Sequence, residues 1–101
     1  METVKMGDFT IEKLIGPAEY GDKLGLYARV IVPPKAAVPY HQHVGDGEAY
    51  YILSGEGEYD DNGVKRMVKT GDVTWTPDGG WHGLVNTGDT DLTFMALIVK
   101  S

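Results

Sequence analysis

YHQHVGDGEAYYIL, residues 40–53, puts two of the chain's three histidines, two glycines and a strand-length apolar run into one continuous stretch. In extended backbone, residues i and i+2 point to the same face about 6.6 Å apart, so His41 and His43 converge while Gln42 points away. Glu48 lies five positions beyond His43, and an uninterrupted strand would turn it to the opposite face. Residues 44–47 must therefore form a turn, for which Gly45, Asp46 and Gly47 supply backbone freedom and turn chemistry. The run that follows is apolar on both parities, with Tyr50 and Ile52 on one face and Ala49, Tyr51 and Leu53 on the other. That pattern describes a β-strand covered on both sides.

The rest of the chain repeats this plan of short strands between turns. Fourteen glycines and five prolines among 101 residues leave few segments long enough for a helix of three turns. Between the breaks lie DFTIEKLI, LGLYARVIV, GEGEY, VKRMV, DVTWT, HGLVN and DLTFMALIV, rich in β-branched and aromatic residues. YDDNGVK reads as a tight hairpin, because Asn62 and Gly63 tolerate the positive φ that such a turn demands. The fold class expected is all-β, a sandwich or barrel, and the whole of 1–101 reads as a single domain. LTFMALIV, like EAYYIL, is apolar on both parities, so either local chain segments or a second subunit cover the outer sheet surface, and for so short a chain a homodimer is the expectation.

Composition narrows the partners. Nine Lys and Arg against fifteen Asp and Glu give a formal charge of -6, which repels a phosphate backbone or an anionic membrane, so neither nucleic acid nor membrane is expected. The absence of cysteine excludes disulfides, thiolate ligands and cysteine nucleophiles, so any metal must take nitrogen and oxygen donors. METVKMGDFTIEKL lacks the apolar stretch of a signal peptide, and no run approaches the ~18 apolar residues of a membrane span. A cytoplasmic location is expected.

His82, in GGWHGLVN, lies on a separate strand and completes a set of three imidazoles and one carboxylate with His41, His43 and Glu48. Such a set suits one divalent ion per chain of Fe, Mn, Co, Ni or Zn and leaves room for water or a small-molecule ligand. An isolated HxH on a strand is more commonly a surface or hydrogen-bonded pair, so the donor set needs independent support.

Support comes from two spaced motifs. His41-Gln42-His43, four residues, Glu48, six residues, Gly55 resembles the first motif of the cupin superfamily. Gly71, five residues, Pro77-Asp78-Gly79, two residues, His82, three residues, Asn86 resembles its second. The resemblance implies a small single-domain cupin of the conserved-barrel type, a double-stranded β-helix or jelly roll. Its parts would be an N-terminal strand region over 1–32, motif regions over 35–55 and 71–86, and a C-terminal strand over 91–99. It also implies that His41, His43, Glu48 and His82 hold the metal inside the barrel, with Gly55, Gly71, Pro77, Gly79 and Asn86 structural. The first motif departs from the family at Lys35, where a glycine is usual; this affects a turn and not a ligand.

By parity, Tyr50 and Ile52 follow Glu48, and Leu84 follows His82, so these three are expected to line a substrate pocket. Tyr40, Trp75, Trp81 and Met95 are candidates for its rim, though each has an ordinary packing role open to it. Arg29, the sole charge in LYARVIV, is expected to face outward, and Asp46 is a turn residue that would otherwise serve as a base through water. No nucleophile elbow or phosphate-binding glycine loop is present. Chemistry would then belong to the metal, either dioxygen activation or Lewis-acid polarisation for an oxygenase, isomerase or lyase. The alternative is a non-catalytic metal or small-molecule binding module, since a fold of this kind does not specify a reaction.

Overall fold

The Asn62-Gly63 turn behaves as its residue types require: both residues have positive φ, 50° and 90°, and Asp61 pairs directly with Val64 across a two-residue loop. A computed structural model describes residues 1–101. In chain order it contains β1 (Glu2–Met6), β2 (Phe9–Lys13), a one-turn helix α1 (Pro17–Tyr20), β3 (Leu24–Val32), β4 (Ala37–Gln42) and β5 (Asp46–Ser54). Then follow β6 (Glu56–Asp61), β7 (Val64–Lys69), β8 (Val73–Thr76), β9 (Trp81–Asn86) and β10 (Leu92–Lys100). All pairings are antiparallel. One sheet has the order β1-β2-β3-β10-β5-β8 and the other β4-β9-β6-β7. Their inner faces enclose a core that includes Val30, Val32, Ile52, Tyr59, Leu84, Leu92 and Phe94.

The register explains how β5 serves two purposes at once. Glu48, Tyr50 and Ile52 stand opposite Ile98, Ala96 and Phe94 of β10 and face inward, while Ala49 and Tyr51 pair with Leu97 and Met95 and face outward. Arg29 also faces outward, as expected, donating from Nε to Glu12 Oε1 at 2.6 Å. The expected turn over 44–47 is shorter than the sequence reading placed it: only Val44 and Gly45 bend, and Asp46 and Gly47 already belong to β5. Gly47 is needed for close approach and not for a turn, because a Cβ there would lie 2.7 Å from the Trp75 ring and 3.0 Å from the Thr76 carbonyl oxygen.

Lys35 is, besides Asn62, the one non-glycine residue with positive φ. Ala36 N donates to Pro33 O at 3.1 Å, and Lys35, third in this Pro33-Pro34-Lys35-Ala36 turn, has φ 68°. Left-handed backbone costs an ordinary residue about 1–2 kcal/mol, partly offset by the ~0.5–1 kcal/mol of chain entropy that a glycine loses on folding. Lys35→Gly is therefore expected to stabilise the protein by roughly 0.5–1 kcal/mol, raising the melting temperature by a few degrees. A lower melting temperature in a thermal scan would contradict this account of the turn.

Candidate metal centre

His41 comes from the end of β4 and His43 from the residue just past it, Glu48 from β5 and His82 from β9. Register brings them together: His41 pairs with His82 across β4 and β9. One donor atom from each of the four residues lies within 4.8 Å of every other. His43 Nε2 is 3.0 Å from Glu48 Oε1 and 3.0 Å from His82 Nε2, while His82 Nε2 is 3.1 Å from Glu48 Oε1 and 3.2 Å from His41 Nε2. His43, Glu48 and His82 are buried; His41 is half-buried at the opening.

The far side of each ring shows what these donors are prepared for. His41 Nδ1 donates to the Pro39 carbonyl oxygen at 2.6 Å, and His43 Nδ1 donates to Asp46 Oδ1 at 2.6 Å. A carbonyl and a carboxylate only accept, so both protons are fixed on Nδ1 and both Nε2 atoms present bare lone pairs. His82 Nδ1 lies 2.8 Å from both Tyr59 Oη and Thr76 Oγ1, which are themselves 2.8 Å apart and able to accept its proton. Burial holds the His82 imidazole below the ordinary histidine value, favouring the neutral, ligating form.

A divalent cation fits this set. Lone pairs facing one another at 3.0–3.2 Å repel unless a positive charge lies between them, and the Glu48 carboxylate has no lysine or arginine partner, only the His43 and His82 imidazoles. Bonds of about 2.1 Å to a shared ion would put neighbouring donors roughly 3.0–3.4 Å apart across the angles from 90° to tetrahedral, and the observed 3.0–3.2 Å lies in that range.

Asp46 therefore has a role that the sequence reading missed: it orients His43. Losing such a support typically lowers metal affinity about 10–100-fold, so Asp46→Ala is expected to weaken binding by that factor without unfolding the protein. Unchanged affinity in a competition titration against a chelator would show that the hydrogen bond carries no weight. Tyr59 and Thr76 were also missed. Inward parity in GEGEY and DVTWT places them inside, but only the pairing of β6 with β9 and the approach of β8 from the other sheet show that they meet His82.

Beside the cluster opens a cavity of about 420 Å³. His41, His43, Glu48 and Tyr50 form its polar end, and the remaining wall is apolar. Tyr50 lines it, its Oη 3.5 Å from His82 Nε2. Burial, reinforced by the Glu48 charge, pushes its phenol well above the usual tyrosine range, so it stays a neutral proton donor. Ile52 and Leu84 are placed differently from the expectation. Both point inward but are fully buried core residues and do not line the cavity. Parity fixes a side chain's face but not its depth, and here Tyr59, Leu92 and Phe94 pack the interior around them. None of the four rim candidates lines the cavity either: Tyr40 and Trp81 stack on each other at 5.4 Å, while Trp75 and Met95 pair with the outward-facing Ala49 and Tyr51.

Comparison with known proteins agrees with this architecture. The family model described as Cupin domain matches residues 28–99, and the chain belongs to that family. A protein of Thermotoga maritima named oxalate-binding protein is 42% identical over 93 residues, covering 92% of this chain and 77% of its own length. A crystal structure from Thermotoga maritima, described as a predicted oxalate decarboxylase, superposes with a TM-score of 0.92 at 38% identity, covering 99% of this chain and 91% of that one. The cupin domain of Schizosaccharomyces pombe Cnp3 has a TM-score of 0.87 at 16% identity, covering 100% of this chain and 69% of that one, which is likeness of fold alone. The double-stranded β-helix expected from the motifs is thus the fold of this chain. No helix is long and apolar enough to cross a membrane.

Proposed function

We propose that this protein holds one divalent transition metal per chain, Fe, Mn, Co, Ni or Zn, on His41, His43, Glu48 and His82, and binds a small oxygen-chelating molecule beside it. The observation that carries this is the orientation of His41 and His43, whose Nδ1 protons are committed to acceptors so that Nε2 faces the shared point. The metal would supply Lewis acidity and an anchor for ligand oxygens. The relative named as oxalate-binding supports a chelating, oxygen-rich ligand head. Elemental analysis after reconstitution, followed by titration with chelating acids, tests the reading. Protein that retains no metal would end it.

Tyr50 supports a second reading, a metal-dependent enzyme of the oxygenase, isomerase or lyase type. Its neutral phenol faces the cluster and is placed to donate a hydrogen bond to a substrate oxygen on which charge develops. Tyr50→Phe separates the two: an enzyme loses far more turnover than ligand affinity with metal content intact, while a binding module shows a change in ligand affinity and no turnover in either form.

The proposal includes a homodimer. Tyr51, Leu53, Val73 and Trp75 are exposed on the outer face of the larger sheet, where Arg29 is neutralised by Glu12. A second copy covering this face would bury an apolar, nearly uncharged surface. Sedimentation of Trp75→Lys is expected to show monomer where the wild type shows dimer; wild-type protein that is monomeric at tens of micromolar would contradict it.

A further inference from the structure

The cavity beside the metal cluster is larger and more apolar than a chelating head alone requires. Its apolar lining includes Met6, Phe9 and Ile11 of the β1–β2 hairpin, with Leu26 of β3 and Phe94 and Ile98 of β10 on the strands that continue the same sheet toward Glu48. Its lining contains no lysine or arginine. The hairpin precedes residues 28–99, so this wall comes from outside the part of the chain that the family model matches. Phe9, Ile11 and Leu26 are partly buried against the core, so the wall is built into the fold.

We infer that the ligand carries an apolar body behind its chelating oxygen pair, the head on the metal and the body against the inner faces of the β1–β2 hairpin, β3 and β10. The inference rests on the metal reading given above. A two-carbon dianion such as oxalate would place all of its charge at the polar end and leave most of the 420 Å³ unfilled. A longer dicarboxylate would bury its second charge among methionine, phenylalanine and isoleucine with no cation to meet it. A single chelating head with an aliphatic or aromatic tail satisfies both ends, and the volume lies in the range of cavities that enclose whole small organic molecules.

The test uses the full chain loaded with Co(II), whose visible absorption reports a ligand reaching the metal. It is titrated with alkyl hydroxamates from acetohydroxamate to octanohydroxamate, and with oxalate. Affinity is expected to rise about fourfold per added methylene over the first several, the increment for burying a CH₂ group, with the longer hydroxamates outcompeting oxalate. Met6→Glu puts a carboxylate on the hairpin wall at a half-exposed position, and is expected to lower octanohydroxamate affinity at least tenfold more than acetohydroxamate affinity. A flat series, or oxalate as the tightest ligand, overturns the inference while leaving the metal reading standing. A rising series indifferent to Met6→Glu overturns the hairpin's part in the wall. Failure to take up cobalt, and likewise Mn, Fe, Ni and Zn offered in its place, overturns the metal reading and this inference with it.

Discussion

His82→Ala is expected to lower metal affinity by two to three orders of magnitude while the protein stays folded. Four-ligand sites bind structural zinc with an apparent free energy of roughly 10–16 kcal/mol, about 3 kcal/mol per donor, and His82 is the donor that closest approaches tie to two of the others and to the carboxylate. Its removal also frees Tyr59 Oη and Thr76 Oγ1 to bond each other, as they already do at 2.8 Å, so no buried hydroxyl in that pair is orphaned. The protein then pays chiefly for the space left by a fully buried ring. Fluorescent-chelator competition gives the affinity, and circular dichroism verifies the fold. Affinity within a factor of ten of the wild type would show that His82 is not a ligand.

Asn86→Ala is expected to destabilise the protein by about 3 kcal/mol, with no direct effect on the site. Asn86 is 3% exposed, and its Nδ2 donates to Val32 O at 2.9 Å and Thr90 O at 2.8 Å while its Oδ1 accepts from Gly88 N at 2.9 Å. One side chain thus ties the end of β3 to the β9–β10 connection. Alanine leaves two carbonyls and an N–H without these partners, each worth roughly 1 kcal/mol. For a domain this size that is a fall of at least ~12 °C in melting temperature. A loss below about 1 kcal/mol in urea unfolding would mean that water replaces the side chain without difficulty.

The local rules of strand and turn carried the sequence reading a long way. Period-2 parity placed Glu48, Tyr50 and Ile52 on one face, and the Asn62-Gly63 dipeptide located its hairpin to the residue. The four clustered donors were legible because two motifs sit on β4, β5 and β9, strands whose spacing is set by sheet geometry. Depth and neighbours across the barrel were not legible. Ile52 and Leu84 share the right face but pack in the core, while Tyr59 reaches His82 because β6 pairs with β9 and Thr76 because β8 approaches from the other sheet. The N-terminal hairpin's wall was missed for the same reason: METVKMGDF has an ordinary amphipathic pattern, and its cavity exists only once β2 pairs with β3.

Proton competition gives the site a defined pH response. His82 is held neutral by burial, so between its lowered folded value and the ordinary value near 6.5 the unfolded chain binds a proton that the folded chain does not. Stability of the metal-free protein is therefore full above the ordinary value and is lost as pH falls toward the folded one. Metal is expected to leave in the same direction, as histidine ligands protonate. The most direct measurement is equilibrium dialysis of the wild-type chain against Mn, Fe, Co, Ni and Zn at neutral pH, with His41→Ala and His82→Ala alongside. One ion per chain in the wild type, with markedly weaker retention in both variants, is the predicted result; no retained ion of any of the five, or equal retention by all three proteins, would contradict it.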